Sequence, residues 1–421
     1  MGVRNAKAAD LSYIDRGSST PVDTPATLPD SFVHSHGPSP LNLESYPVTP
    51  GSVVNHNSRP ESRSDILHFL ADSPHGPPVL NKDDWASDLE LMHHYCTFTC
   101  NTLTIREDSR HVWRVVLPME GYSNKYLMHG ILALAALHRA YLYPTQREKY
   151  IKATAYHQAA GLNEFRELIA SPIDPSNWQP VFCFSSMIMV YVCASPIRIG
   201  EDRWPSPILN MAELFSVVKG MQTIMEPWLH SLRKTQLAPL VNCVYLDDEI
   251  LIPSPAVMQQ SLLPPGTHDQ LILLHQFIDN YPFPQKSQSH EESGTSDGSH
   301  TDHREDYKKA LKYLETSIRQ IDLAGPHIEI GMVLMWAYSL SKRFRDDLES
   351  YQAPALVLTS YWCVLLHLVD NSWFINGASK QLLGDIESKV HPAFRDWLKT
   401  EIIDDYQIYS NQFGMVGAAH K

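Results

Sequence analysis

From Asp83 onward, apolar residues recur at helical spacing. Leu89, Met92, Cys96, Thr99 and Leu103 fall on one face of DWASDLELMHHYCTFTCNTL, which predicts a helix over that segment with Asp84 or Ser87 at its start. A short segment around Val112–Leu117 follows, ended by Pro118. Ser123–Tyr143 is apolar on nearly every side, the pattern of a central helix packed all round, and Pro144 ends it. Further helices are predicted over Gln146–Ile169, Trp178–Ala194, Ile208–Met225 and His268–Tyr281. Others are expected over Asp306–Leu323, Ile328–Leu348, Ala355–Val369, Lys380–Val390 and Ala393–Ser410. No strand pair with hairpin chemistry and no fixed-period repeat is visible. The fold class this predicts is all-α, one large domain of about ten to twelve helices.

Two stretches break the pattern. Residues 1–80 are rich in Pro, Ser and Thr and hold no cysteine. Such text buries too little apolar surface to offset chain entropy, and it reads as a disordered tail ahead of a helical domain over 81–421. Residues 284–305, PQKSQSHEESGTSDGSHTDHRE, read as a flexible polar loop inserted in that domain.

Composition narrows the function. The net charge is −13, the opposite of a basic nucleic-acid footprint and unsuited to non-specific attraction to anionic membranes. A hydrophobic fraction of 43% is enough for a sizeable core. The N-terminus lacks the apolar core of a signal peptide, and Ala6 stands where a myristoylation motif needs Ser or Thr. The most apolar stretch, Val181–Ala194, is too short to span a bilayer. Cys96, Cys100, Cys183, Cys193, Cys243 and Cys363 sit in apolar or helical text and read as reduced, buried thiols of a soluble intracellular protein.

Catalytic and metal chemistry finds little footing. Phosphate-binding glycine motifs, GxSxG and HExxH are all missing. The acidic runs Asp247-Asp248-Glu249 and Asp404-Asp405 read as solvated charge. His300-x-x-His303 has metal-like spacing, but its polar loop, which also holds His290, has no apolar frame to hold ligands. His129 and His138 are nine residues apart on one helix, on roughly opposite faces, and read as satisfied core histidines. Cys96 and Cys100 read as packing. No cofactor and no metal is therefore expected. Aromatic and Met residues concentrate around Phe182, Met187 and Tyr191 and around Met335 and Tyr338. At helical spacing these are mostly core; as a minority reading they line an apolar ligand pocket between helices.

Several blocks occur in order: LELMHHYCTFTCNTL, VWRVVLPMEGYSNKYLMHGILALAALHRA, KATAYHQAAGLNEFRELI, FCFSSMIMVYVCA, MAELFSVVKGMQTIM and PALVLTSYWCVLLHLVDNSWFINGASKQLLGDI. Together they resemble the regulatory domain of fungal zinc-cluster transcription factors, in the sterol uptake control branch. The resemblance implies an all-helical domain acting in transcription regulation in the nucleus, with shuttling from the cytoplasm. In some relatives such a domain binds a sterol, and in some it dimerises. It implies control of a metabolic gene set, such as a secondary-metabolite or sterol pathway, and partners that are other transcription factors or a second copy of the chain. The family's DNA reader is an N-terminal six-cysteine zinc cluster. Residues 1–80 hold no cysteine, and Arg4, Lys7, Arg16, Arg59 and Arg63 are too scattered to replace its phosphate contacts. DNA binding by this chain alone is therefore not expected. The alternatives are a ligand-sensing co-regulator working through a zinc-cluster partner and, last, an enzyme on the helical scaffold using a buried histidine such as His129.

Overall fold

The computed structural model describes residues 85–170, 172–200, 203–241, 262–264, 266–283, 303–325 and 327–398. The expected tail over 1–80 and nearly all of the loop over 284–305 lie outside the described residues, as do Cys243 and both acidic runs. The described part is all-α, with no strand among its residues.

In chain order the first elements are α1 (Trp85–Thr97), a 3-10 turn (Thr99–Thr102), α2 (Glu107–His111), a π turn (Val112–Val116) and α3 (Leu117–Ser123). Next come α4 (Lys125–Leu142), α5 (Arg147–Ala170), α6 (Trp178–Cys193) and α7 (Pro207–Met225). The chain continues through α8 (Thr267–Asn280), α9 (His303–Ala324), α10 (Ile330–Ser339) and α11 (Lys342–Glu349). It closes with α12 (Ala353–His367), α13 (Ala378–Lys389) and a 3-10 segment (Pro392–Trp397).

Two hubs organise the packing. α4 is flanked by α1, α3, α5 and α6, and residues from every part of its circumference are buried, as its all-round apolar sequence predicts. α7 is the second hub and touches α6, α10, α11 and α13. Its N-terminus is tied to α13: the Ile208 amide donates to Asp385 Oδ2 at 3.2 Å, a carboxylate placed at the positive end of a helix dipole. Behind α7, Phe215 meets the edges of Trp336 and Trp362, and both indoles donate to backbone carbonyls, of Ala310 and Val333, at 2.9 Å. The indole N–H groups are thereby satisfied inside the core.

α5 approaches α4 closely at Gly161, and α6 approaches α4 closely at Gly130. A methyl group on Gly161 would sit 2.9 Å from the Tyr126 carbonyl oxygen and 3.0 Å from the Phe184 ring; one on Gly130 would sit 2.9 Å from that same ring. The two glycines make the slot into which α6 inserts Phe184.

Five expectations need correction. The first helix ends at Thr97, because Phe98 leaves helical geometry (φ −124°, ψ −60°), so Cys100 lies in the following 3-10 turn. The stripe expected on its core side is also displaced: Leu89 is 58% exposed, while Leu91, His94 and Tyr95 are buried. Pro118 does not end the helix before it. The Leu117 amide bonds to Val112 O across a π turn, and this wider turn makes room for a ring that an α-helix would clash with. The helix expected over Ile328–Leu348 is two, α10 and α11, broken at Leu340-Ser341, where Ser341 Oγ accepts from the Phe344 amide at 3.1 Å. Of the helix expected over Ala393–Ser410, the described part is the 3-10 segment, and residues beyond 398 lie outside the description.

Candidate functional site

The hubs leave a cavity of about 130 Å³ between α6, α7, α10 and the π turn, partly open to solvent. One face of α6 forms its floor: Phe182, Ser185, Ser186, Met189, Val190 and Cys193 recur at the 3–4 spacing of a single helix side. α7 contributes Met221, Gln222 and Met225 from its last turns. α10 contributes Ile330, Leu334 and Tyr338, and the π turn contributes Trp113.

Of the residues singled out in the sequence, Phe182 and Tyr338 line this cavity, and Met187, Tyr191 and Met335 are not in its wall. Met187 sits instead against Gly130. Tyr191 lies under the Arg198 guanidinium, 4.5 Å from its ring centre, and Met335 packs on the core. α6 is apolar round its whole girth, so its sequence carries no phase to say which side faces a cavity. Among the wall residues not singled out in the sequence are Trp113, Ser185 and Glu329, and only the unusual π turn before Pro118 could have flagged the first.

The polar groups of the wall are few. Ser185 is 1% exposed and its hydroxyl has no hydrogen-bond partner among the described residues. Ser186 is satisfied by the Phe182 carbonyl at 3.0 Å, and Ser109 donates to Pro239 O at 3.3 Å. Glu329 holds the chain before α2: its Oε1 accepts from Thr104 Oγ1 at 2.6 Å and from the amides of Ile105 and Arg106 at 3.2 and 3.1 Å. Burial pushes the Glu329 carboxyl above its usual range, and the three donors work against that rise. Cys193 is pushed up to about 12 by burial and is an inert thiol at neutral pH.

The histidines form a separate set between α1 and the α4–α5 pair. His138 stacks on Trp373 with ring centres 4.8 Å apart, and its Nδ1 lies 3.1 Å from Thr99 Oγ1. His129 does not share its partner: its Nδ1 faces His157 Nδ1 at 3.0 Å, and His157 Nε2 lies 3.3 Å from Asp88. Burial lowers His94 to about 4, His138 to about 3 and His157 to about 4, so these imidazoles are neutral at physiological pH. Cys100 donates to the Cys96 carbonyl at 3.3 Å. Among the described residues no set of three or more His, Cys, Asp or Glu is arranged to hold a metal ion, and no helix is long and apolar enough to cross a membrane.

Comparison with known proteins finds matches along parts of this chain. Residues 90–204, which run from α1 through α6 and supply the floor of the cavity, match the family model of the Fungal specific transcription factor domain. The chain is similar to a Zn(2)-C6 fungal-type transcription factor of Gibberella zeae, 22% identical over 326 residues, covering 75% of this chain and 60% of that protein. It is also similar to Sterol uptake control protein 2 of Saccharomyces cerevisiae, 32% identical over 83 residues, covering 20% of this chain and 9% of that protein. The chain thus spans about 60% of the length of the first of these relatives and a small part of the second. The resemblance carried by the ordered sequence blocks is shown by these matches.

Proposed function

We propose that this protein is a regulator of transcription that works in the nucleus, with residues 81–421 as its regulatory domain and a metabolic gene set under its control. The observation that carries this is the match of residues 90–204 to the transcription factor domain, extended along the chain by the similarity to a Zn(2)-C6 factor. Its partners in this reading are another transcription factor or a second copy of the chain. The test is removal of the gene, followed by transcript profiling and imaging of a fluorescently tagged full-length chain. A coherent metabolic set should change, and the tag should collect in the nucleus. Unchanged transcripts, or a tag excluded from the nucleus, would overturn the proposal.

A second reading is favoured by the cavity. A partly open apolar space with a buried, unpartnered Ser185 hydroxyl is suited to a small molecule. The protein is then a ligand-sensing co-regulator acting through a zinc-cluster partner, with Phe182 and Tyr338 among the residues that touch the ligand. Purification of the tagged chain from nuclei should recover such a factor, and the 421-residue chain alone should give no specific mobility shift on promoter DNA. A tight specific shift without a partner would sink this reading.

A further inference from the structure

Among the described residues, Glu329 is the one acidic or basic side chain in the cavity wall. Its structural work is done by a single oxygen, Oε1, which takes all three donors from Thr104, Ile105 and Arg106, while Oε2 has no hydrogen-bond partner among the described residues. A glutamine would give those donors the same acceptor without placing a carboxylate in a largely apolar wall, which is costly unless the charge is paired. Of the neighbouring cations, Arg106 acts on the Glu329 charge from outside the wall. The Arg106 guanidinium pairs with Asp108, and Lys219 donates to Gln222 Oε1 and to the Tyr338 carbonyl, both at 3.0 Å; neither cation is in the wall.

We propose that the cavity takes a largely hydrocarbon ligand bearing one protonated nitrogen, with the ammonium group on Glu329 and the hydrocarbon body along Phe182, Met189, Met221 and Met225. The proposal rests on the ligand-sensing reading above and adds the charge of the ligand to it. Three methionines adapt to a hydrocarbon body of irregular shape. The volume is close to the ~150 Å³ of an apolar cavity that holds a benzene ring, which sets the size of a suitable probe.

The test uses the full chain and three probes on one carbon skeleton, 4-phenylbutylamine, 4-phenylbutanol and 4-phenylbutyrate, titrated by calorimetry. The amine should bind about tenfold more tightly than the alcohol, and the carboxylate more weakly than either. Glu329→Gln should erase the preference for the amine, weakening the amine by about tenfold and the alcohol by much less. N-acetyl-4-phenylbutylamine, which keeps the nitrogen and loses the charge, should lose the preference on the unaltered protein, so the outcome does not hang on how the variant folds. Equal binding of amine and alcohol, untouched by Glu329→Gln, would overturn the charge inference and leave the cavity reading standing. Binding of none of the probes would remove the ligand-sensing reading and this inference with it.

Discussion

Gly161→Ala tests the closeness of the α4–α5 pair directly. In an ordinary exposed helix this change stabilises by about 1 kcal/mol through helix propensity. Here the added methyl meets the Tyr126 carbonyl oxygen at 2.9 Å and the Phe184 ring at 3.0 Å. The ring is fully buried and held by Tyr126 and Phe165, with centres 5.4 and 4.8 Å away, so it has little room to retreat, and the carbonyl belongs to backbone. Overpacking of this kind costs about 1–3 kcal/mol, and the backbone contact puts Gly161 at the upper end, for a net loss of about 1–2 kcal/mol. The nearest atoms to a methyl on Gly130 are side-chain ones, of the same Phe184 ring and of the more flexible Met187, and Gly130→Ala should cost about 0–2 kcal/mol net. Thermal unfolding followed by circular dichroism should therefore show Gly161→Ala melting a few degrees below the parent and Gly130→Ala lowered by less. Combining each with Phe184→Leu completes a cycle. The smaller side chain should rescue Gly130→Ala almost fully and Gly161→Ala only in part, with coupling of about 0.5 kcal/mol or more. A rise in melting temperature for Gly161→Ala, or additivity in both cycles, would refute the slot between the two helices.

The buried histidines make stability depend on acid. His94, His138 and His157 have folded values of about 4, 3 and 4 against 6.5 in an open chain, so between these limits the unfolded state binds more protons. The histidine contribution to stability should be constant above pH 6.5 and fall toward pH 4, and His157→Gln should make that fall shallower. Glu213 has the opposite sign: burial raises it to about 7, so its contribution is full below pH 4.5 and is lost as pH rises through 7. Glu213→Gln should gain about 1–2 kcal/mol relative to the parent at pH 8 over its effect at pH 5, measured by urea unfolding at both values. Ser341→Ala removes the cap that starts α11 and should cost about 1 kcal/mol in the same assay.

The long buried helices were legible because apolar text on every side leaves few alternatives: α4, α6, α7 and α12 all lie within a few residues of where periodicity puts them. The same uniformity hid the site. On α6 a cavity-facing Met189 and a core-facing Met187 are chemically alike, and only the neighbouring helices decide between them. On α1 the error came from counting histidine as polar. His94 is buried and neutral, and with Leu91 and Tyr95 it defines the core side; setting it aside shifts the apparent stripe onto exposed Leu89. Glu329 was invisible for another reason: its partners Thr104, Ile105 and Arg106 are more than 220 positions away, beyond the reach of any local pattern.

The wide turn at Val112–Val116 amounts to one surplus residue threaded into a helical run. Removing a single residue there would restore a regular α-helix and improve its local hydrogen bonding. It would also swing everything on one side by about 100° relative to the other, carrying the Trp113 indole off the cavity rim while the helix around it stays whole. The irregularity is therefore a register mark. It keeps two stretches of one helix facing different neighbours, and a chain tidied at that point would fold more neatly and lose a wall of its own chamber.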